Sequence, residues 1–304
     1  MTDYHKPVLL EESMEGLDIQ PGGTYVDVTF GGGGHSREIL RRLGKGGRLI
    51  GFDQDEDAAA NVPETDKRFT FVPQNFRYLK KYCRLHGAVP IDGILADLGV
   101  SSHQFDSPER GFSTRYDALL DMRMDQQLEN SARDVLNSYP EEALHRIFGM
   151  YGEVSNARTL ARNIVLARIK EPLEMTAQLK AILTPLAKRG GENKYFAQVF
   201  QALRIEVNEE MDALQELLRQ STEVLKEGGR LVVISYHSLE DRLVKNFINK
   251  GKFSGEVERD FYGNELKPLQ ALVKKPVRPG AEELNDNSRA RSARLRIAIK
   301  RKSA

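Results

Sequence analysis

The chain of 304 residues lacks several features that would assign it to a particular class of protein. Its single cysteine, Cys83, excludes an internal disulfide and fits a reducing compartment. No apolar run approaches the roughly 18 residues that a membrane span requires. Residues 1–7 also lack the basic and apolar segments of a secretory signal. We therefore expect a cytoplasmic protein with no membrane partner.

Metal-based and cysteine-based chemistry lack their usual patterns. The six histidines are scattered, and neither Cys-x-x-Cys nor His-Glu-x-x-His occurs, so we expect no metal. Cys83 lies in a helix-like segment and is a poor candidate for a nucleophile. The net charge is only +1, but seven basic and no acidic residues follow from Arg289 to the end. That bias is typical of phosphate binding, with a merely solvated tail as the equal alternative.

Strand-like and helix-like segments alternate along the first third of the chain. Four apolar runs lie between Thr24 and Asp97, which predicts βαβ units and a mostly parallel sheet. A fifth run begins only at Arg230, after an interval too long for a loop, and this indicates an inserted domain. The predicted strands are Thr24–Phe30, Arg48–Phe52, Phe69–Pro73, Ile91–Asp97, Arg230–Tyr236 and the half-buried Arg294–Lys300, which has a basic outer face.

The long interval carries apolar residues at helical spacing. We therefore expect a helical insertion domain at 105–194, set into an α/β domain formed by 1–104 and 195–304. A long amphipathic segment, Tyr195–Lys226, follows and is expected to stop at Gly228 and Gly229. The helices predicted inside the insertion are Asn130–Tyr139, Glu141–Tyr151, Ser155–Ile169 and Thr176–Leu186.

The segment Tyr25–His35 reads Y-V-D-V-T-F-G-G-G-G-H, a strand that runs into four glycines and a helix start. Glycines permit positive φ and close approach of a ligand, and the helix start offers free N–H groups. A dinucleotide fingerprint fails because Ser36 or Arg37 replaces its third glycine, and no Walker motif follows. Asp27 in the strand, with Asp53 placed to accept ribose hydroxyls, instead fits the S-adenosylmethionine sites of class I methyltransferases.

Three further positions follow other predicted strands. Asp97 ends the fourth strand and is expected in the same crevice, because ligands bind beyond the carboxyl ends of parallel strands. Phe76 follows the third strand and lies either against a nucleotide base or in the core. His237 follows the fifth strand and carries an imidazole suited to proton transfer, with a structural or RNA-contacting histidine as the alternative.

Eight stretches of the chain together resemble the MraW family of ribosomal RNA small subunit methyltransferases. The resemblance runs from His5 to about Ile299, nearly the whole chain. The stretches are H-K-P-V-L-L from His5, T-F-G-G-G-G-H-S from Thr29, D-G-I-L-A-D-L-G-V-S-S from Asp92, R-G-F-S from Arg110, D-M-R-M-D from Asp121, F-Q-A-L-R-I-E-V-N from Phe200, S-Y-H-S-L-E-D-R from Ser235 and S-R-A-R-S-A-R-L-R from Ser288.

The resemblance implies a Rossmann-like, class I S-adenosylmethionine-dependent methyltransferase of the α/β class, with an inserted small helical domain on the substrate side. Members of the family methylate N4 of one cytidine in the decoding region of bacterial 16S rRNA, C1402 in the usual rRNA numbering. The implied partner is therefore 16S rRNA within a small ribosomal subunit, while naked or assembled substrate and a homodimer stay open. By position, the implied contacts to S-adenosyl-L-methionine are Gly33, Gly34, His35, Asp53, Phe76, Asp97 and Gln104.

One departure from related enzymes concerns the chemistry. Many methyltransferases of nucleobase amino groups carry Asp/Asn/Ser-Pro-Pro-Tyr/Phe after the fourth strand, whereas Leu98-Gly99-Val100 follows Asp97 here. An aromatic side chain that stacks on the base is therefore absent from that place. A cytosine amino group is a poor nucleophile, so a group that accepts one of its hydrogens is required. Asp97 and His237 are the two candidates.

RNA contacts are expected from two pairs of arginines, with solvated faces as the alternative. Arg158 and Arg162 lie one helical turn apart in an acid-free stretch, and Arg294 and Arg296 lie on the last predicted strand. Three other functions stay open from the residues alone. They are a methyltransferase for another nucleic acid or a protein amino group, an NAD-type oxidoreductase, and a non-catalytic RNA-binding module that holds the cofactor.

Overall fold

A computed structural model describes residues 7–63 and 65–302, so the first two residues of the motif at His5 lie outside the described part. The chain divides into two compact units. The α/β unit comprises Met1–Gly99 and Met211–Ala304, and the helical unit comprises Val100–Glu210. In the described part, no helix combines the length and apolarity that crossing a bilayer requires.

The α/β unit is built on a seven-stranded sheet with the order β3-β2-β1-β4-β5-β7-β6. The first five strands are parallel, and β7 pairs antiparallel with both β5 and β6. The strand order reverses where β1 lies beside β4, which is the place where open α/β sheets bind ligands. The strands are β1 Thr24–Asp27, β2 Arg48–Phe52, β3 Phe69–Val72, β4 Ile91–Asp97, β5 Leu225–Ser235, β6 Leu269–Ala271 and β7 Arg294–Lys300.

The six predicted strands are confirmed, with differences at their ends. β1 stops at Asp27 and leaves the following residues free to form the glycine turn, whereas β5 starts at Leu225, earlier than predicted. β6 was not predicted, because three residues give too short a pattern. Alternate residues of the strands face opposite sides, so Val26 and Ile94 enter one core while Tyr25 and Leu95 enter another.

Five helices of the α/β unit bury residues of one face, whereas the short α12 buries none. In α2, for example, Ile39 and Leu40 are buried while the basic residues of its last turn stay outside. The helices are α1 Leu10–Leu17, α2 Gly34–Arg42, α3 Leu79–Leu85, α10 Glu210–Val224, α11 Ser238–Lys250 and α12 Ala281–Asp286.

The helical unit has its own core, in which Leu144, Phe148, Leu160 and Ile164 are fully buried. The four predicted helices are confirmed, and each starts or ends within a few residues of the predicted range. The predicted insertion, 105–194, lies inside this unit, which also contains the first half of the long amphipathic segment. The helices are α4 Ser102–Asp106, α5 Ala132–Ser138, α6 Glu141–Met150, α7 Ala157–Lys170, α8 Thr176–Leu183 and α9 Glu192–Val207.

The long amphipathic segment Tyr195–Lys226 forms two helices, α9 and α10, rather than a single one. Asn208 ends α9, and its side chain accepts from the Met124 amide at 2.7 Å and donates to the Met122 carbonyl at 2.8 Å. Glu209 then takes a φ of +49°, which breaks the helical path. Gly228 and Gly229 are not the helix stop either, since they lie within β5 at an irregular register against β4.

Candidate active site

The glycine turn after β1 uses its glycines for different reasons. Gly31 and Gly33 have φ values of +48° and +73°, a region that L side chains rarely adopt. A Cβ on Gly34 would lie 2.4 Å from Cγ of Pro7. A Cβ on the exposed Gly32 would meet no protein atom within 4 Å. The fold therefore requires Gly31, Gly33 and Gly34, whereas Gly32 leaves open space that a ligand can use.

Asp27 accepts hydrogen bonds from residues on both sides of the glycine turn. Its Oδ2 accepts from the Ser36 hydroxyl at 2.7 Å, and its Oδ1 accepts from the Thr29 amide at 3.1 Å. The side chain is buried, and this burial raises the pKa of its carboxyl. Asp27 thus ties the end of β1 to the first turn of α2.

Asp53 follows β2 and holds the other side of the turn. Its Oδ2 accepts from the Gly31 amide at 2.7 Å, and its Oδ1 accepts from the Asp55 amide at 2.9 Å. Burial raises the pKa of Asp53 to about 6 in spite of these two bonds. Each carboxylate oxygen keeps a lone pair, so the group can still accept hydroxyl donors from a ligand.

Asp97 closes β4, and three groups fix its position. Its amide donates to Oγ1 of Thr29 at 2.7 Å, and its Oδ1 accepts from the Tyr236 hydroxyl at 2.8 Å. Its Oδ2 lies 3.8 Å from Nδ1 of His35, whose Nε2 lies 3.1 Å from the Val8 carbonyl. Burial raises the pKa of Asp97 to about 6.

Asp27, Asp53 and Asp97 place three carboxyl groups at this edge of the sheet without an arginine or lysine partner. Among the described residues, no lysine or arginine forms an ion pair with any of the three, and the only side chain paired with Asp97 in this way is the imidazole of His35, at 3.8 Å. Buried carboxylates without a cationic partner are costly. A ligand that brings positive charge and sugar hydroxyls therefore fits the site, as the sulfonium and ribose of S-adenosylmethionine do.

Tyr236 and Glu240 belong to the site but did not emerge from the sequence. Burial raises the pKa of Tyr236 well above its usual value, so its hydroxyl stays a donor to Asp97. The buried Glu240 accepts from the Tyr236 amide at 2.8 Å and so fixes the turn between β5 and α11. Both residues lie in the string S-Y-H-S-L-E-D-R, where an acidic residue three positions after a helix start is a recognisable capping signal.

His237 is committed to the helix that follows it. It is the N-cap of α11, with Nδ1 3.5 Å from the Glu240 amide. Its Nε2 lies 3.1 Å from Oε1 of Glu240, in an arrangement that makes no directed hydrogen bond. These contacts explain a structural role, and the catalytic role of His237 stays a prediction.

The contacts of three other candidate residues, Phe76, Gln104 and Cys83, are defined by the structure. Phe76 follows β3 and packs, half-buried, against the core of the α/β unit. Gln104 lies in the helical unit, where it and Ser101 form reciprocal capping bonds of α4 at 3.0 and 3.1 Å. Their contacts to a cofactor stay predictions. Cys83 is fully buried, and this raises the pKa of its thiol to about 12, which argues against a nucleophilic role.

The two arginine pairs have opposite surroundings. Arg158 and Arg162 are exposed on α7, and neither has a hydrogen bond or ion pair within the described part of the chain. On β7, Arg296 Nε lies 2.6 Å from Oδ1 of Asp241, and Arg294 Nη1 lies 3.1 Å from Oδ2. The expected basic outer face of β7 is therefore wrong, because Asp241 of α11 covers it. RNA binding by either pair stays a prediction.

The strand order, the antiparallel β7 and the carboxylates at the ends of β1, β2 and β4 define a class I S-adenosylmethionine-dependent methyltransferase. The MraW methylase family model matches residues 2–301, and the chain belongs to this family. Membership in a methylase family removes the oxidoreductase alternative.

Curated relatives match the chain over nearly its whole length. A protein of Cytophaga hutchinsonii is 62% identical over 97% of this chain and 99% of its own length. A protein of Flavobacterium johnsoniae is 59% identical over 98% of each chain. Both carry the name ribosomal RNA small subunit methyltransferase H. The crystal structure of an rRNA methylase from Streptococcus thermophilus covers 98% of this chain and 99% of its own, at 11% identity and a TM-score of 0.43.

Proposed function

We propose that this protein transfers a methyl group from S-adenosyl-L-methionine to N4 of one cytidine in the decoding region of 16S rRNA, C1402 in the usual numbering. The observation that carries the substrate class is the 62% and 59% identity to relatives named for small subunit rRNA methylation. The substrate would be met in the cytoplasm, as 16S rRNA within a small ribosomal subunit.

Bound S-adenosylmethionine supplies a methyl group on a positively charged sulfur, which leaves as a neutral thioether. The amino nitrogen gains the methyl group and loses one of its two hydrogens as a proton. The protein must therefore hold the amino group in line with the donor and accept that proton. Of the singled-out residues, Gly33, Gly34, His35, Asp53, Phe76, Asp97 and Gln104 would hold the cofactor.

Asp97 is our choice for the proton acceptor. Its pKa of about 6 leaves it ionised at neutral pH, yet basic enough to take a proton in a concerted step. Tyr236 occupies one lone pair of Oδ1, whereas Oδ2 accepts no hydrogen bond from the described residues and lies 3.8 Å from Nδ1 of His35. Tyr236 then acts as a positioning residue, because it fixes the carboxylate plane without touching the substrate. His237 is the second candidate, although its contacts to Glu240 favour a structural role.

The substrate test is methyl transfer to rRNA. Small subunits and naked 16S rRNA from cells that lack this modification are incubated with the enzyme and radiolabelled S-adenosylmethionine, and the modified nucleoside is mapped by mass spectrometry. We expect N4-methylcytidine at C1402. Label in another nucleotide would mean that C1402 is not the target, and label in protein alone would contradict the substrate class.

The catalytic test separates cofactor binding from transfer. We expect Asp97→Asn to bind S-adenosylhomocysteine within a few-fold of the wild type and to lose roughly 100-fold or more in transfer rate. Equal loss of both would make Asp97 a cofactor ligand only. Tyr236→Phe keeps the ring and removes the hydrogen bond, so we expect a smaller rate loss with a displaced pH profile. Asp286→Asn, on an exposed position of α12, serves as the matched control.

A further inference from the structure

The loop between α11 and β6 contains a short hairpin, residues 258–266, that presents two aromatic side chains at its tip. Phe261 is 98% exposed and Tyr262 is 87% exposed, more than any other large hydrophobic side chain in the described part. Arg259 and Glu265 pair across the hairpin as an antiparallel bridge, and the Leu266 amide donates to the Glu258 carbonyl at 2.8 Å. We call this element the aromatic hairpin.

The tip of the aromatic hairpin is held by its own hydrogen bonds. Asp260 Oδ1 accepts from the amides of Tyr262 at 2.9 Å and Asn264 at 2.8 Å, and its Oδ2 accepts from the Asn264 side chain at 2.9 Å. Gly263, at a φ of +85°, completes the turn. The two aromatic residues therefore project from a defined backbone rather than from a loose loop.

The two rings leave flat surface open. Their centroids lie 5.7 Å apart and their planes meet at 85°, so the edge of one ring points to the face of the other. In this arrangement each ring keeps at least one open face. Exposed aromatic pairs bury nothing for the fold, so their presence on an ordered turn marks a contact surface.

The base of the aromatic hairpin is anchored to the α/β unit. Arg301 donates to the Glu265 carbonyl at 2.9 Å. Just before the hairpin, Phe253 stacks on Phe247 of α11 with centroids 5.1 Å apart, and its carbonyl accepts from Asn246 at 2.8 Å. A rigid base and a rigid tip mean that little ordering is lost when a partner binds.

Charge around the aromatic hairpin indicates a polyanionic partner. Between Lys252 and Lys302 there are 13 basic and seven acidic residues, and two of the basic ones, Arg294 and Arg296, pair with Asp241 of α11. Beside the hairpin, Lys250 donates to the Gly255 carbonyl at 2.8 Å, Arg301 donates to the Glu265 carbonyl and Arg219 lies 4.9 Å from the ring of Phe253, and none of the three forms an ion pair within the described residues. The three acids of the hairpin are occupied: Glu258 pairs with Lys252 at 3.1 Å, Glu265 pairs with Lys267 at 2.6 Å and Arg259 at 3.3 Å, and Asp260 accepts the hydrogen bonds of the tip.

We infer that Phe261 and Tyr262 stack on unpaired bases of a single-stranded RNA segment. Aromatic side chains take up unstacked bases in this way without reading their sequence, and basic groups nearby hold the backbone. The inference rests on the proposed rRNA substrate and makes the aromatic hairpin a second contact with it, outside the catalytic crevice. The register of β5, β7 and β6 places the hairpin at the opposite edge of the sheet from Asp97, so the bases that it stacks on belong to a segment away from the target cytidine.

The stacking test uses the fact that the chain contains no tryptophan. Phe261→Trp places a single indole at the tip, and Leu85→Trp places one at a 70% exposed position of α3 as the matched control. We expect a single-stranded decoding-region fragment of 16S rRNA to quench the hairpin indole strongly and the α3 indole weakly. A duplex of the same length should quench the hairpin indole less. Unchanged fluorescence of the Phe261→Trp variant, while anisotropy of labelled RNA reports binding, would overturn the inference.

The affinity test uses the double variant Phe261→Ala with Tyr262→Ala. We expect RNA affinity to fall about five-fold or more, because each stacked base contributes at least that much. The midpoint of thermal unfolding and S-adenosylhomocysteine affinity should not change. Loss of binding to assembled subunits alone, with unchanged binding to naked single strands, would mean a protein partner and would contradict stacking. If RNA quenches the hairpin indole but no rRNA is methylated, the proposed function fails while the RNA contact stands.

Discussion

Arg158 and Arg162 on α7 differ from Arg294 and Arg296 on β7 in what surrounds them, although both pairs look alike in sequence. The α7 pair is exposed and has no partner among the described residues. The β7 pair shares one carboxylate, Asp241, with Arg296 only 11% and Asp241 only 12% exposed. A charge with a built-in partner serves the fold, whereas a charge without one is available to a ligand.

The same distinction separates the carboxylates. Burial alone would raise the pKa of Asp241, but Arg296 and Arg294 lower it below the usual range. Asp53 and Asp97 have no arginine, and their pKa values rise to about 6. The molecule thus carries paired charges where it needs stability and unpaired charges where it is expected to bind.

The largest effect is expected from removing the shared partner on α11. Asp241→Asn leaves two guanidinium groups without a carboxylate, one of them nearly buried, and should lower the free energy of unfolding by about 3 kcal/mol. Urea denaturation measures this. Asp286→Asn, on exposed α12, should change stability by less than about 0.5 kcal/mol. An Asp241 variant as stable as the control would break the comparison.

The third arginine of α7, Arg168, tests the same distinction within one helix. Arg168 donates to the carbonyls of Leu136 and Tyr139, at 2.7 Å each. Arg168→Ala should therefore cost about 2 kcal/mol of stability, because two partly buried acceptors lose their donor. The variant should keep the salt dependence of RNA binding. A weaker salt dependence with normal stability would mean that Arg168 contacts RNA.

The unpaired arginines of α7 should act on binding alone. Arg158→Ala with Arg162→Ala is expected to weaken RNA affinity about ten-fold at physiological salt and to flatten the plot of log affinity against log salt by about 1.4. Unfolding in urea should not change. An unchanged slope would mean that Arg158 and Arg162 do not contact RNA. An equal change of slope in Arg294→Gln would mean that the two arginine pairs do not differ in RNA binding.

The smallest effect concerns pH. The folded pKa values of Asp53 and Asp97 lie above the unfolded value of 3.8, so the free protein loses stability as pH rises from about 4 to 6. A cationic ligand favours the ionised forms, so S-adenosylmethionine affinity should fall as pH drops through 6. S-adenosylhomocysteine lacks the sulfonium charge, so its affinity should respond less to pH. Calorimetry at several pH values compares the two ligands, and parallel curves would contradict a charge-based site.

Much of the fold could be predicted because its signals are local. The four runs between Thr24 and Asp97 and the glycines after the first strand each carry their pattern within a few residues. The residues that end strands, Asp53 and Asp97, could be located for the same reason. The break between α9 and α10 could not be predicted, because a side-chain bond of Asn208 to residues over 80 positions away decides it.

The side-chain contacts that were not predicted join residues far apart in the sequence. Tyr236 meets Asp97 across 139 residues, and Arg296 meets Asp241 across 55. The helix α11 is different, because a signal for it was present. The spacing from His237 to Glu240 is that of a capping box, followed by the apolar positions Val244, Phe247 and Ile248.

The buried thiol of Cys83 makes the molecule convenient to label. With a pKa of about 12 and no exposed surface, it will not react with maleimides near neutral pH while the protein is folded. Any cysteine introduced on the surface therefore becomes a unique attachment point without further engineering. A spin label or dye on α7 or on the aromatic hairpin would report on that element alone.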